Sequence, residues 1–175
     1  MPDNPPTVYA DSCVYLDLIT RNEQLQAGTD EPRWKPAKRL FEAWHSGRIL
    51  LAASALIEAE VLCNGKTQER RQRSTNVDEM LRSWFTSPSI LWIDIDRFTA
   101  REAARLREQY GHLHDQDKRP FGATDALHLA AACRAKCDYF MSQDGGFPFG
   151  HTIDKMKIER PLDVWEPTLF DHVEP

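Results

Sequence analysis

No apolar run in the sequence approaches the roughly 20 residues that a membrane-spanning helix needs, which excludes a helical membrane protein. Residues 1–7, MPDNPPT, have neither the basic start nor the apolar core of a secretory signal, so a cytoplasmic location without membrane contact is expected. Cysteine is sparse and lacks metal-ligand spacing: Cys13, Cys63, Cys133 and Cys137 are scattered through apolar segments. In a reducing compartment they are expected to be small buried hydrophobes, with Cys133 and Cys137 on one helix. Positive charge is not in excess either, since 22 Lys and Arg face 27 Asp and Glu for a net charge of −5. That balance excludes a protein that coats nucleic acid non-specifically, but it allows one local basic patch and a metal-binding acidic cluster. There is no internal repeat and no low-complexity segment.

What remains is a pattern of strand–helix units. The 175 residues suffice for one domain with a sizeable core, expected over 1–175, with the motif-bearing part at about 8–158 and a tail at 159–175. Residues 7–10 (TVYA) predict a short strand ended by Asp11, with Ser12 capping a helix whose stripe is Val14, Tyr15, Leu18 and Ile19. Residues 21–36 are polar and predict a loop or short lid, and residues 38–45 a helix ending at Gly47. A second strand is expected over residues 48–53, with Ser54 capping a third helix. Residues 64–76 (NGKTQERRQRSTN) are the most basic stretch, a solvated helix face or a phosphate-contacting patch formed by Arg70, Arg71 and Arg73. Val77, Met80, Leu81, Trp84 and Phe85 form a helical stripe. A strand over 90–95 follows, then a helix over 98–110 capped by Asp96. His112, His114, Asp115 and Asp117 read as a polar loop and less as a metal site; residues 156–158 add a last strand, and Trp165 and Phe170 pin the tail.

Residues 121–147 carry the densest signal. A helix is expected from a Thr124 cap through Ala135, then a buried strand at Tyr139, Phe140 and Met141, then Asp144 and a Gly145-Gly146 turn. Repeated strand–helix units predict a mainly parallel sheet with helices on both faces. In such a sheet ligands bind beyond the C-terminal ends of the strands. Asp11 and Asp144 each follow a strand, and Glu60 and Asp125 sit on helices near strand ends. On the third helix, residues two apart point about 200° away from each other. Glu60 shares a side with Leu56, Ile57 and Cys63, whereas Glu58 lies with Ala55 and Leu62, so Glu60 is the inward carboxylate. Taken singly, each Asp also suits ordinary helix-start or turn chemistry.

Bare carboxylates brought together repel and raise one another's pKa, whereas oxygen-rich acidic clusters suit Mg²⁺ or Mn²⁺ and substrate phosphates. A cation held so can activate water and stabilise charge on a phosphodiester, which predicts metal-dependent hydrolysis of a phosphate ester. A haloacid-dehalogenase-type phosphatase also ends its first strand on Asp, but Cys13 stands where that chemistry needs a second Asp.

Asp11-Ser12, Ser54 with Glu60 six residues on, the run DALHLA from Asp125, and Ser142-Gln143-Asp144 occur in order and together resemble the PIN-domain ribonucleases. Among these the chain is most similar to the VapC-type toxins of bacterial toxin–antitoxin pairs. The resemblance implies a PIN-like (Rossmann-like) three-layer α/β/α fold with a central, mainly parallel sheet. It implies a hydrolase and endoribonuclease that uses Mg²⁺ or Mn²⁺ and acts on RNA, with a small cognate antitoxin and a homodimeric assembly. Asp11, Glu60, Asp125 and Asp144 become the expected catalytic and metal-binding residues, with Ser12 and Ser142 supporting them and Arg70, Arg71 and Arg73 on RNA. A PIN-like nuclease of RNA processing without an antitoxin, and a catalytically silent binding module, are the alternatives. The extra sequence at 21–36 and 64–76 exceeds the compact toxins.

Overall fold

The computed structural model describes residues 4–113 and 121–165. Six strands form one sheet: β1 (Thr7–Ala10), β2 (Leu50–Ser54), β3 (Ile90–Ile93), β4 (Tyr139–Met141), β5 (Thr152–Ile153) and β6 (Met156–Glu159). Their spatial order is β3-β2-β1-β4-β6-β5, and every pairing is parallel except β5 with β6. The helices are α1 (Ser12–Thr20), α2 (Trp34–His45), α3 (Ala55–Leu62), α4 (Gly65–Arg73), α5 (Thr75–Phe85), α6 (Arg97–Tyr110) and α7 (Ala123–Arg134). The result is the expected three-layer α/β arrangement around a mainly parallel sheet.

The core follows from the parallel sheet. Val8, Tyr9 and Ala10 are wholly buried, as strands covered on both faces must be. On one side α1, α2 and α5 meet through Tyr15, Phe41 and Trp84, with ring centroids 4.6–5.5 Å apart. Elsewhere α7 packs on α6 and against β2 and β3. Its Ala130, Ala131 and Ala132 let it lie close to its neighbours.

The strand order reverses at β1, which lies between β2 and β4. Asp11 N donates to Met141 O at 2.9 Å, continuing the β1–β4 ladder one residue past the strand. The loops after β1 and β4 are thereby fixed side by side at the switch point of the sheet.

Several local expectations are corrected. Asp11, not Ser12, is the N-cap of α1, because its Oδ1 accepts from Ser12 N at 2.7 Å. Helix α7 starts at Ala123 with Gly122 as its cap; Asp125 Oδ2 accepts from Gly122 N at 2.8 Å, so Thr124 lies within the helix. Ser54 does occupy the cap position of α3, but its hydroxyl bonds to Tyr9 OH and not to a helix N–H. Helix α2 begins at Trp34 and contains Pro36 in its first turn, where a missing N–H leaves no helix bond unmade. The basic stretch divides into α4 and the start of α5. Strand β5 has no glycine to announce it; it joins β6 through Asp154 and Lys155, at φ 46° and 77°, the two positive values a tight hairpin turn requires. Cys63 is exposed, and Cys137 lies beyond the end of α7, so it does not share a helix with Cys133. The Arg48 guanidinium sits 5.3 Å from the Trp165 ring, which pins the start of the tail. His114, Asp115, Asp117 and Phe170 lie outside the described residues.

Candidate active site

Asp11 is buried at the C-terminal end of β1, and both of its oxygens accept hydrogen bonds. Its Oδ1 takes the Ser12 amide, and its Oδ2 takes the Ser142 hydroxyl at 2.8 Å and the Cys13 thiol at 3.2 Å. Ser142 Oγ also accepts from Asp144 N at 3.0 Å, so one hydroxyl links the first strand's carboxylate to the turn after β4. Cys13 Sγ in turn accepts from Gln143 N at 3.2 Å. Burial, with Asp11 adding to it, keeps this thiol protonated.

Glu60 reaches the same place from α3. Its Oε2 lies 3.0 Å from His128 Nε2, and His128 Nε2 is 3.8 Å from Asp11 Oδ1. One atom from each of Asp11, Glu60 and His128 falls within 4.8 Å of the others. The hydrogen bond from His128 holds the Glu60 carboxyl below its ordinary range, outweighing the opposing effect of burial, and Ser12 adds to it. An ionised carboxylate only accepts, so His128 Nε2 carries the hydrogen. Its other nitrogen, Nδ1, lies 3.0 Å from Tyr9 OH, and Tyr9 OH lies 2.8 Å from Ser54 Oγ. Behind the cleft there is therefore a buried chain of four side chains, from Ser54 to Glu60.

Asp125 and Asp144 line the same cleft, of about 430 Å³, together with Asp11, Ser12, Cys13, Glu60 and His128. Their carboxylates are engaged locally, Asp125 with Gly122 N and Asp144 Oδ1 with Gly146 N at 2.9 Å. The tight cluster among the described residues is Asp11, Glu60 and His128, with Asp125 and Asp144 at the cleft wall. Glu58 does not line this cleft, and among the described residues no Lys or Arg does. His128 stood in the DALHLA run without a role. The signal that could have found it is its position three residues after Asp125, close to the same helical face.

The three arginines of α4 take different environments. Arg70 donates to Thr20 O at 3.0 Å, Arg71 pairs with Asp78 on α5, and Arg73 lines a depression beside Arg70 and Lys66.

The PIN domain family model matches residues 8–148, and the chain belongs to the PIN domain family. A toxin–antitoxin complex from Klebsiella pneumoniae contains a chain of similar fold, with 20% identity and a TM-score of 0.54, covering 90% of this chain and 99% of that one. FitAcB from Neisseria gonorrhoeae is similar at 18% identity and a TM-score of 0.51, covering 88% and 97%. VapC20 of Mycobacterium tuberculosis, a Sarcin-Ricin loop cleaving toxin, has 15% identity and a TM-score of 0.47, covering 76% and 86%. No curated protein sequence gives a significant match. Among the described residues no helix is long and apolar enough to cross a membrane.

Proposed function

We propose that this chain is a metal-dependent endoribonuclease, the toxin of a type II toxin–antitoxin pair, with Asp11, Glu60, Asp125 and Asp144 as its acidic site. The observation that carries the reading is the approach of Asp11 and Glu60 in a cleft walled by two more carboxylates and, among the described residues, by no Lys or Arg.

The residues fit a hard divalent cation. Carboxylates gathered without a Lys or Arg partner repel, and oxygen-rich sets of this kind match Mg²⁺ or Mn²⁺. Asp11 and Glu60 would hold the ion, with Asp125 and Asp144 completing the site directly or through water. His128 positions Glu60 through the bond at its Nε2. The cation, when bound, supplies Lewis-acid stabilisation of the phosphodiester's developing charge and acidifies water for attack. The chain's own residues do the rest. Ser12 N and Ser142 Oγ fix the two oxygens of Asp11, and His128 fixes Glu60. Ser142 also joins Asp11 to the backbone of Asp144.

A small antitoxin as partner, and a homodimer as assembly, belong to the same reading; the similar fold in a solved toxin–antitoxin complex supports the first. A silent binding module has no need of four carboxylates around one cleft. The test is induced expression of wild type beside Asp11→Asn, scoring growth and RNA integrity, followed by cleavage assays with Mg²⁺, Mn²⁺ or EDTA. Growth arrest and cleaved RNA with wild type alone are expected. RNA that stays intact with purified wild type in both metals would overturn the reading.

A further inference from the structure

The acidic cleft does not end at Asn64. It shares Cys13, Leu16 and Asn64 with a second depression, which runs on past Thr20, Asn22, Lys66 and Glu69. Those last four residues are shared with a third depression, which ends at Arg70 and Arg73. The three form one trough between α1 and α4, acidic at the inner end and basic at the outer. Arg70 spans its far end, holding Thr20 O at the last turn of α1.

We infer that this trough seats a single-stranded RNA segment beside the acidic site, with Lys66, Arg70 and Arg73 on its phosphates and Arg71 taking no part. The inference rests on the nuclease reading for the inner end and on the trough's own composition for the rest. Three cations face one carboxylate, Glu69, at the outer end, while the other carboxylate of the two outer depressions, Asp17, is already paired with Arg33 at 2.9 Å. A local cationic patch on a chain of net charge −5 suits a polyanion that must be led to an acidic centre. Asn64 lines the middle of the trough and Gln24 its outer end, while the Asn22 amide is taken up by Asp17 and Gln24 N; among the described residues no Phe, Tyr or Trp lines it. Amides read the Watson–Crick edges of bases, which are free to meet them only in unpaired RNA. At about 1.5 Å per residue, the nine residues of α4 extend about 13 Å, room for two or three nucleotides beyond the scissile phosphate. Arg71 lies on the same helix but is turned to Asp78 on α5 and lines none of the three depressions.

The test is equilibrium binding of a short, labelled single-stranded oligoribonucleotide in EDTA across a salt series, with gels confirming that the probe stays intact. Each phosphate contact removed should flatten the slope of log K against log salt by about 0.7. Alanine at Lys66, Arg70 and Arg73 together should therefore flatten it by about 2, and Arg71→Ala should leave it unchanged. A duplex of the same sequence should bind more weakly than the single strand. If the triple variant melts early for want of the Arg70–Thr20 bond, Lys66→Ala with Arg73→Ala should still flatten the slope by about 1.4. An unchanged slope in these variants, an Arg71→Ala slope as flat as theirs, or equal binding of the duplex overturns the trough. Loss of a protein partner by the triple variant with RNA binding intact would also overturn it. Steep RNA binding without cleavage in either metal would sink the nuclease reading and leave the trough standing; cleavage with a salt slope insensitive to all three residues would do the reverse.

Discussion

His128 on α7 donates from Nε2 to Glu60 Oε2 on α3, 3.0 Å away, and so ties the two helices together at the edge of the sheet where Asp11 ends β1. The bond reaches deep into the fold through Tyr9 and Ser54. The position of one site carboxylate is therefore set by residues that a substrate would never touch.

Tyr9→Phe should destabilise the protein by about 1–3 kcal/mol, because it leaves His128 Nδ1 and Ser54 Oγ buried without a partner. Ser54→Ala alone should cost about 1 kcal/mol. Combined, the two should cost less than their sum, since each breaks the same chain. Urea unfolding of the four proteins measures this, and strict additivity would mean that no chain exists.

Asp11→Asn and Glu60→Gln should reduce RNA cleavage to below about a hundredth, while Glu58→Gln stays near wild type. Helix α3 directs Glu60 to His128, and Glu58 lies off the cleft. Initial rates in Mn²⁺, alongside circular dichroism to confirm folding, decide the matter. An inactive Glu58→Gln with an active Glu60→Gln would reverse the assignment.

Divalent metal should stabilise wild type by RT ln(1 + [L]/Kd), about 2.7 kcal/mol at a hundredfold excess over Kd. In EDTA, Asp144→Asn should raise the melting temperature by removing repulsion from the cleft. Asp125→Asn should gain less, because the Asp125 carboxylate also accepts from Gly122 N at the start of its own helix. Thermal melting with and without Mn²⁺ tests all three proteins. A wild type indifferent to metal would mean that the carboxylates share no cation.

Acid should act on Glu60 and Asp17 in opposite senses. Glu60 is held below its ordinary value of 4.5 by His128, so its contribution is present above that pH and is lost as pH falls through the lower folded value. Burial raises Asp17 above its ordinary value of 3.8 despite Arg33, so its ionisation weakens the fold as pH rises through the raised folded value. Glu60→Gln should therefore flatten the acid loss of stability, and Asp17→Asn should steepen it. Denaturation midpoints measured from below the ordinary Asp17 value of 3.8 to above the ordinary Glu60 value of 4.5 follow both. Identical acid limbs in wild type and variants would refute the linkage.

Much of this was legible in the chain itself. Short apolar runs at TVYA and YFM, each followed by Asp, placed two strands and the carboxylates beyond them. Strands separated by amphipathic helices dictated a mainly parallel sheet, since a parallel crossover needs a helix and buries both faces of each strand. The face of α3 that holds Glu60 followed from 3.6 residues per turn, a local property. Capping did not follow so readily. Asp11 and not Ser12 meets the first N–H of α1, and α7 starts before Thr124, with the Asp125 carboxylate accepting from Gly122 N, because which side chain meets an N–H at a helix start depends on fractions of an ångström.

Tertiary structure alone decided which distant residues became neighbours. His128 and Glu60 are 68 positions apart, and Ser142 and Asp11 are 131 apart. Only the strand order β2-β1-β4 brings them to one edge. No periodicity in one segment encodes a distance to another, so nothing in the DALHLA run itself shows that Tyr9 and Glu60 close on the two nitrogens of His128. The same limit held for the arginines of α4. Their charge was plain in the sequence, but only the packing of α4 between α1 and α5 turned Arg70 toward Thr20 and Arg71 toward Asp78.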